Sequence, residues 1–388
     1  MSTGPADFPS SSPDQPQGAA IPESGSVQRK MALPKAARCF ARYFGAILLF
    51  ALVACILLLS LPKKQHHLSI THAFGVGFDL SPSYATVAVS YPNGSIQTIA
   101  RVEGNGAYRE MMLRLSLPSS QHVHKSYQHV GEAIHDIPRQ AVRDIRKKLG
   151  LPSSRDVGTL SNMIHALRDE ASNFVGEPVS AAAISIPHLA ALYGEDLLDA
   201  FEYLSLVYLE FFPFINFRPI YASTAAYAGN GLGLCRDYKD AAACKEEELH
   251  IPPLFALSVS YTYTSLITSQ TRIAHAYYLE ETQKLANLRL GYNARHQESY
   301  WEAVQDMLQS PAVDSPVQRN ISMVLVFGDA TEMPRFKEVL EKVVDDVLGG
   351  SPEIVDQQPE FSGAKGVAEL AKRAIFRQMN EPDTVSDL

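Results

Sequence analysis

Few residues of this chain have types and spacings that could perform chemistry. The four histidines of one polar stretch, His122, His124, His129 and His135, have no carboxylates or cysteines at matched ligand spacing, so they indicate a solvated surface rather than a metal site. No Asp-x-Asp triplet occurs, which disfavours a lumenal glycosyltransferase that holds a sugar nucleotide through a metal. That class remains a minor alternative.

Two aspartates lie at the ends of predicted buried strands. Asp79 is near the end of a strand predicted over residues 73–80, just before the small-residue turn Ser81-Pro82-Ser83. Such an aspartate either caps the strand-to-turn transition or faces the water shell of a phosphate-bound metal. Asp329 follows Gly328 after a strand predicted over residues 321–327, and a role as a helix N-cap is favoured there; a helix cap is likewise favoured for Thr224.

Two cysteines and two asparagines carry signals of the secretory pathway. Cys235 and Cys244 lie nine residues apart in a polar stretch and could form a local disulfide in an oxidising compartment. Asn93 and Asn320 each begin an Asn-x-Ser glycosylation sequon.

Composition limits the class of protein. The chain has 388 residues, 46% hydrophobic and 20% charged, which fits a large two-lobed or two-domain globular protein and excludes wholesale disorder. The net charge of −8 divides unevenly: residues 1–64 hold 7 basic and 3 acidic residues, and the remainder holds 27 and 39. An acidic main body argues against nucleic acid as a partner.

The first 72 residues predict a membrane anchor. Residues 1–28 are rich in Pro, Ser and Gly and predict a disordered tail, and residues 29–42 are a basic juxtamembrane segment. The 19 uncharged residues 43–61 match the thickness of a bilayer and predict a transmembrane signal anchor, followed by a stem over residues 62–72. The basic flank predicts a cytosolic N-terminus and a lumenal main domain in a single-pass membrane protein.

The main body repeats one order of elements. Strands predicted over residues 73–80, 84–91 and 95–102 form a meander with a hairpin turn at Asn93-Gly94, followed by helices at 134–149 and 159–175, a strand at 179–186 and a helix at 197–212. Strands at 254–260, 261–269 and 271–278 begin a second meander, followed by helices at 280–290, 299–308, 333–348 and 363–379 around a strand at 321–327. The pattern predicts two related α/β lobes, residues 73–232 and 254–380, with a polar insertion loop at 233–253 and a short tail at 381–388.

Five segments in this order resemble the nucleotide-binding domain of 70-kDa heat-shock chaperones. They are GVGFDLSPSY at residues 75–84, PVSAAAISIP at 178–187, RPIYASTAA at 218–226, LFALSVSYTYTSLI at 254–267 and VLVFGDATEMP at 324–334. The first looks like the family's phosphate loop G-I-D-L-G-T-T-Y and the last is similar to V-L-V-G-G-S-T-R-I-P. The resemblance implies an α/β, two-lobed actin-like ATPase (ribonuclease H-like) fold, here preceded by the tail and one transmembrane helix.

The resemblance also implies which residues would line a nucleotide cleft. They are Gly77, Asp79, Ser81, Ser83, Tyr84, Thr224, Gly328 and Asp329. One of Arg146, Lys147 and Lys148 would supply the family's catalytic lysine, although the sequence does not indicate which.

The departures from the family predict a degenerate site. Ala222 stands where the family has a glutamate that helps to hold the metal, Ala256 and Tyr263 replace two aspartates, and Pro82 removes a backbone donor from the first loop. Residues 258–260, Ser-Val-Ser, replace glycines that let backbone amides approach phosphate.

These losses predict at most weak binding of magnesium ATP, no catalytic residue and no resident metal. The expected role is that of a binding or scaffold protein, with a chaperone or a membrane protein as partner. The main alternative is a slow but genuine ATPase that has rebuilt its site with other residues.

Overall fold

The computed structural model describes residues 72–209, 219–276, 279–313, 321–347 and 352–380. All of them belong to one compact unit, Leu61–Leu388. Within these ranges the protein is a mixed α/β structure with two β-sheets and nine α-helices.

The first sheet begins as an antiparallel meander and continues with parallel strands. Its strands are β1 (Gly75–Leu80), β2 (Tyr84–Ser90), β3 (Ile96–Glu103), β4 (Ala181–Ile186), β5 (Val207–Tyr208) and β6 (Ile220–Tyr221). The order is β3-β2-β1-β4-β5, and β6 also pairs with β4. The β2–β3 hairpin turns at Gly94, whose φ of 88° is a left-handed conformation that glycine adopts without strain.

The second sheet repeats this arrangement. Its strands are β7 (Leu254–Tyr261), β8 (Leu266–Ile273), β9 (Leu279–Asn287), β10 (Ile321–Phe327) and β11 (Glu353–Val355). The order is β11-β10-β7-β8-β9, with β7, β8 and β9 antiparallel and β10 parallel to β7. In both sheets, therefore, the first strand of a meander lies beside a parallel strand that follows later in the chain.

Nine helices lie in the described ranges. They are α1 (Gly106–Leu115), α2 (Val130–Lys148), α3 (Arg155–Val175), α4 (Gly194–Tyr203), α5 (Ala222–Gly229), α6 (Ala241–Leu249), α7 (Tyr300–Val313), α8 (Pro334–Val347) and α9 (Ser362–Asn380). Helix α3 shows how local sequence sets the bounds: the Ser154 hydroxyl accepts a bond from the Val157 amide at its start, and Gly176 ends it with φ 79°.

Helix α9 lies against the first sheet, although the sequence places it in the second lobe. A Cβ atom on Gly77 would lie 2.1 Å from the backbone nitrogen of Ala368, so only glycine allows β1 and α9 to approach this closely. Ala364 and Ala368 pack with Ala88 of β2 in the same contact. The first turn of α9 therefore lies at the end of β1, next to Asp79.

Helix α2 turns its charged side inward. Arg143 is 5% exposed, and its guanidinium group binds Asp196 at 2.8 Å and Asp199 at 2.6 Å on α4. The opposite side of α2 exposes apolar side chains, with Val130 76% and Ile134 60% accessible. The buried ion pairs hold α2 in an orientation that leaves its apolar side in solvent.

The predicted fold class is wrong in its membrane part. Among the described residues, no helix has the length and apolar character needed to cross a bilayer, so the single-pass membrane assignment gains no support from them. The predicted tail at 1–28, basic segment at 29–42, span at 43–61, stem up to residue 71 and final tail at 381–388 lie outside the described residues.

Three predicted elements are also corrected. Residues 280–290, predicted as a helix, belong largely to strand β9, because this segment completes the antiparallel pairing of β8. The helix predicted over 197–212 is the shorter α4, followed by strand β5. The insertion predicted as a loop over 233–253 contains α6, whose first turn is capped by the Asp240 carboxylate.

Candidate functional site

One pocket opens where the two sheets meet. It is lined from the first sheet by the end of β1 and the residues after β4, from α5 by its first residue, and from the second sheet by β7, β8 and β10. Its lining residues are Asp79, Leu80, Ser81, Pro187, His188, Ala222, Ser258, Ser260, Ile267, Ser269 and Phe327. The empty space between these residues is about 310 Å³ when the part open to solvent is included.

The pocket gathers residues from all five segments singled out in the sequence. Asp79 and Ser81 come from the first and Pro187 from the second. Ala222 comes from the third, and Phe327 from the fifth. The fourth contributes the serines at positions 258 and 260 that stand in place of glycines. The five segments of the family resemblance therefore meet at one pocket. Most of the side chains that they contribute carry a hydroxyl group or are apolar.

Asp79 is the acidic group of this pocket and is 8% exposed. Burial raises the pKa of its carboxyl group to about 7, against the opposing effect of a 2.5 Å hydrogen bond donated by the Ser185 hydroxyl. The carboxylate also packs on Gly363 at the start of α9, where a Cβ atom would lie 2.3 Å from Asp79 Oδ2. Asp79 thus takes the place beside a helix N-terminus that an anionic ligand would otherwise favour.

Two buried hydroxyl groups of the pocket have no hydrogen-bond partner in the described part of the chain. They are Ser258 Oγ and Ser269 Oγ, on side chains that are each 1% exposed. The two residues are directly paired across β7 and β8. A buried hydroxyl without a partner costs free energy, so this wall of the pocket suits a polar group or water rather than an apolar one.

His188 forms another wall of the pocket, and its ring is held by contacts with its neighbours. Its Nε2 atom lies 2.8 Å from the Ser223 hydroxyl, and its ring stacks on Tyr221 with centroids 4.6 Å apart. The residue is 2% exposed. These contacts fix the ring orientation, which makes His188 a rigid part of the lining.

A second polar cluster joins the two sheets. Arg101 on β3 binds Asp329 at 2.8 Å and Glu360 at 2.9 Å, and its guanidinium group stacks on the Tyr84 ring at 4.0 Å. Asp329 also accepts a 3.0 Å hydrogen bond from the Tyr263 amide in the β7–β8 turn. Burial raises the pKa of Asp329, and Arg101 opposes that rise. Asp329 therefore has a partner for its charge and does not line the pocket.

The other predicted cleft residues lie outside the pocket lining and make packing contacts or hydrogen bonds within the fold. Gly77 accommodates α9, and Gly328, with φ 117°, passes Tyr261 so closely that a Cβ atom would lie 2.2 Å from its carbonyl oxygen. The backbone carbonyl oxygen of Ser83 accepts a 2.7 Å hydrogen bond from the Gly104 amide. Tyr84 is 2% exposed, and Thr224 is buried within α5. Of the eight predicted residues, the structure brings Asp79 and Ser81 to the pocket.

None of the three candidate basic residues lines the pocket formed by the described residues. Arg146 donates to the Pro152 carbonyl oxygen at 2.7 Å. Lys147 pairs with Asp199 and with Glu202 of α4, and Lys148 belongs to the same last turn of α2. That one of them supplies the counterpart of the family's catalytic lysine stays a prediction.

Cys235 and Cys244 are joined in a disulfide. With Glu248 they form the one cluster of metal-ligand type within the described residues, but sulfurs bonded to each other are not thiolate ligands. Asn93 is exposed in the β2–β3 turn, and Asn320 lies outside the described residues. The four histidines are not gathered into such a cluster; His129, for example, caps α2.

No protein-family model and no curated protein matches the chain. The resemblance to the nucleotide-binding domain of 70-kDa heat-shock chaperones therefore stays a hypothesis that rests on the five segments.

The sequence did not indicate several residues that shape the site. His188 immediately follows the second segment, which ends at Pro187. Ser269 and Arg101 come from meander strands without a motif of their own, and Gly363 comes from the last helix. Only strand pairing and the packing of α9 on β1 bring them to this region, so no local spacing signals them.

Proposed function

We propose that the protein is a divergent relative of the 70-kDa chaperone nucleotide-binding domain that binds ATP weakly or not at all and acts by binding other proteins. The observation that carries this proposal is the lining of the pocket between the sheets. Among its described lining residues, Asp79 is the one acidic group, and there is no lysine or arginine. A triphosphate needs several positive charges or a metal held by several carboxylates, and this lining offers neither.

The position of Asp79 strengthens the electrostatic argument. Its carboxylate lies against the first turn of α9, and its ionisation near neutral pH would place a negative charge where phosphate oxygens would come. Arg101, which stacks on Tyr84 at the start of β2, is already bound to Asp329 and Glu360. A phosphate would have to displace these carboxylates to gain the guanidinium group.

The binding role is supported by the exposed side of α2. Val130, Ile134, Ile137 and Val142 of α2, and Leu149 directly after it, are between 56% and 76% exposed. Exposed apolar surface of this kind is typical of interaction sites. The partner class predicted from the sequence, a chaperone or a membrane protein, remains part of the proposal, and the acidic charge of the main body argues against nucleic acid as a partner.

Calorimetric titration of the full chain with magnesium ATP tests the loss of nucleotide binding. We expect no heat of binding in the micromolar range and no phosphate release, with an active 70-kDa chaperone as the positive control. Sub-micromolar binding accompanied by turnover would overturn the proposal.

A slow ATPase rebuilt around Asp79 is the second candidate. One observation favours it: a carboxyl group with a pKa near 7 has the proton affinity of a general base at neutral pH. Measured hydrolysis that disappears in Asp79→Asn but persists in Asp345→Asn, an exposed aspartate of α8, would support this candidate over the binding protein.

We also propose that the described domain matures in an oxidising compartment, as the predicted lumenal location requires. The Cys235–Cys244 disulfide and the exposed Asn93 sequon support this proposal. Enzymatic deglycosylation of the cellular protein tests it: a mobility shift that is lost in Asn93→Gln is expected, and a chain without any glycan would count against it.

A further inference from the structure

The two sulfurs of the Cys235–Cys244 disulfide have different surroundings. Cys235 is 1% exposed, whereas Cys244, on α6, is partly exposed. Arg373 of α9 donates a hydrogen bond from Nη1 to Cys235 Sγ at 3.0 Å. Glu248 Oε1 lies 3.5 Å from Cys244 Sγ. One sulfur therefore meets a cation inside the protein, and the other meets a carboxylate near the surface.

This asymmetry determines which sulfur can carry a negative charge. A guanidinium group stabilises a thiolate, and Arg373 is held in place because its Nε atom binds Glu369 at 3.0 Å. A carboxylate close to Cys244 disfavours a thiolate there. Cys235 is consequently the better leaving group, and Cys244 is the sulfur that an incoming reagent can reach.

We propose that this disulfide is a redox site, opened by a small thiol reductant of the glutathione class through attack on Cys244. The reductant thiolate forms a new sulfur–sulfur bond to Cys244 Sγ. The Cys235–Cys244 bond breaks, and its electron pair goes to Cys235 Sγ as a thiolate that accepts the Arg373 hydrogen bond. A second reductant thiolate then attacks the mixed disulfide and releases the oxidised reductant, and the Cys244 thiolate takes a proton from water.

Opening this bond loosens a segment that packs on α9. Between the two cysteines, the Tyr238 ring contacts Phe376 edge-on with centroids 5.5 Å apart, and Lys372 Nζ lies 4.8 Å from the Tyr238 centroid. The same helix begins at Gly363 against Asp79. Reduction thus removes a covalent restraint from a segment that covers the helix reaching the pocket.

The site of attack can be read directly on the unmodified full chain. The protein is mixed with reduced glutathione, quenched at short times with iodoacetamide, and digested for mass spectrometry. We expect glutathione on Cys244 and the alkyl group on Cys235 in the trapped intermediate. Glutathione on Cys235, an even distribution, or no opening under conditions that reduce an exposed model disulfide would overturn the proposal.

Two matched variants test the charges. In the Arg373→Gln variant the disulfide should open about tenfold more slowly, because the Cys235 thiolate that leaves no longer has a cation beside it. Glu248→Gln should open at the same rate or faster, because it removes a negative charge beside the attacked sulfur. Equal rates in the wild type and Arg373→Gln, or slower opening in Glu248→Gln, would contradict the mechanism. If Arg373→Gln does not fold, the trapped intermediate and the Glu248→Gln rate still decide.

Discussion

The carboxylate of Asp79 lies directly on the backbone of Gly363, so that a methyl group at position 363 would come within 2.3 Å of Oδ2 and 2.4 Å of Cγ. Asp79 is the last residue but one of the first strand, and Gly363 is the second residue of the last helix, nearly three hundred positions later. The contact shows why the second residue of α9 is a glycine, and it couples the position of the acid to that of the helix.

Gly363→Ala should therefore destabilise the protein, although alanine is normally favoured over glycine within a helix by about 1 kcal/mol. We expect a loss of about 2 kcal/mol or more, because the new methyl group displaces a buried side chain. In an Asp79→Ala background the same change should be close to neutral. Denaturant unfolding of the wild type, the two single variants and the double variant gives the coupling free energy between the two residues. If the two losses of stability simply add in the double variant, the residues are not in contact.

The stability of the folded protein should depend on pH through the carboxyl group of Asp79. Folding raises its pKa from 3.8 to about 7, so the folded protein holds this proton more tightly than the unfolded chain. The stabilisation is complete below pH 3.8 and is lost as the pH rises toward 7.

Asp79→Asn removes this loss. Each pKa unit corresponds to about 1.4 kcal/mol. Between pH 4 and pH 8, the free energy of unfolding of Asp79→Asn should therefore rise by up to about 4 kcal/mol relative to that of the wild type. Urea unfolding at intervals of pH measures the difference, with Asp345→Asn run in parallel. Wild-type and Asp79→Asn curves that stay parallel would contradict the placement of this acid.

The contact between β1 and α9 predicts a second glycine effect. Gly77→Ala should cost several kcal/mol, because its Cβ atom would lie 2.1 Å from the backbone of Ala368, which cannot shift without moving the helix. Gly106→Ala is the matched control, since a Cβ atom at the start of α1 meets nothing within 4 Å. Thermal midpoints should fall for the first variant and stay level or rise for the second.

Local sequence was sufficient for part of the fold. The alternation from Tyr84 onward, the Asn93-Gly94 turn and the apolar spacing of α3 are short-range signals, and they predicted β2, the hairpin and the helix close to their observed bounds. The prediction for strand β9 was wrong. Residues 280–290 are rich in helix-forming side chains, but pairing with β8 fixes most of this segment as a strand. Propensity is a weak prior when a sheet edge offers a complete set of backbone partners.

The candidate site was predictable in outline only. Asp79, Ser81 and the serines that replace glycines could be assigned from the ordered segments, because each follows or lies within a recognisable strand. The family resemblance predicts Gly328 and Asp329 in the same cleft, but Asp329 forms an ion pair with Arg101 of β3 instead. The sequence shows that both charges exist, but only the approach of the two sheets decides which of them meet.

The ion pairs beneath α2 give the last prediction. Arg143 lies between two buried carboxylates of α4, and removal of one partner from such a cluster leaves uncompensated charge in a poorly solvated site. Arg143→Met should therefore lower the free energy of unfolding by about 3–5 kcal/mol at neutral pH. Arg114→Met, which breaks an ion pair between half-exposed Arg114 and Asp156, should cost at most about 1 kcal/mol. Unfolding in denaturant compares the two, and equal small losses would mean that water reaches Arg143 and its partners.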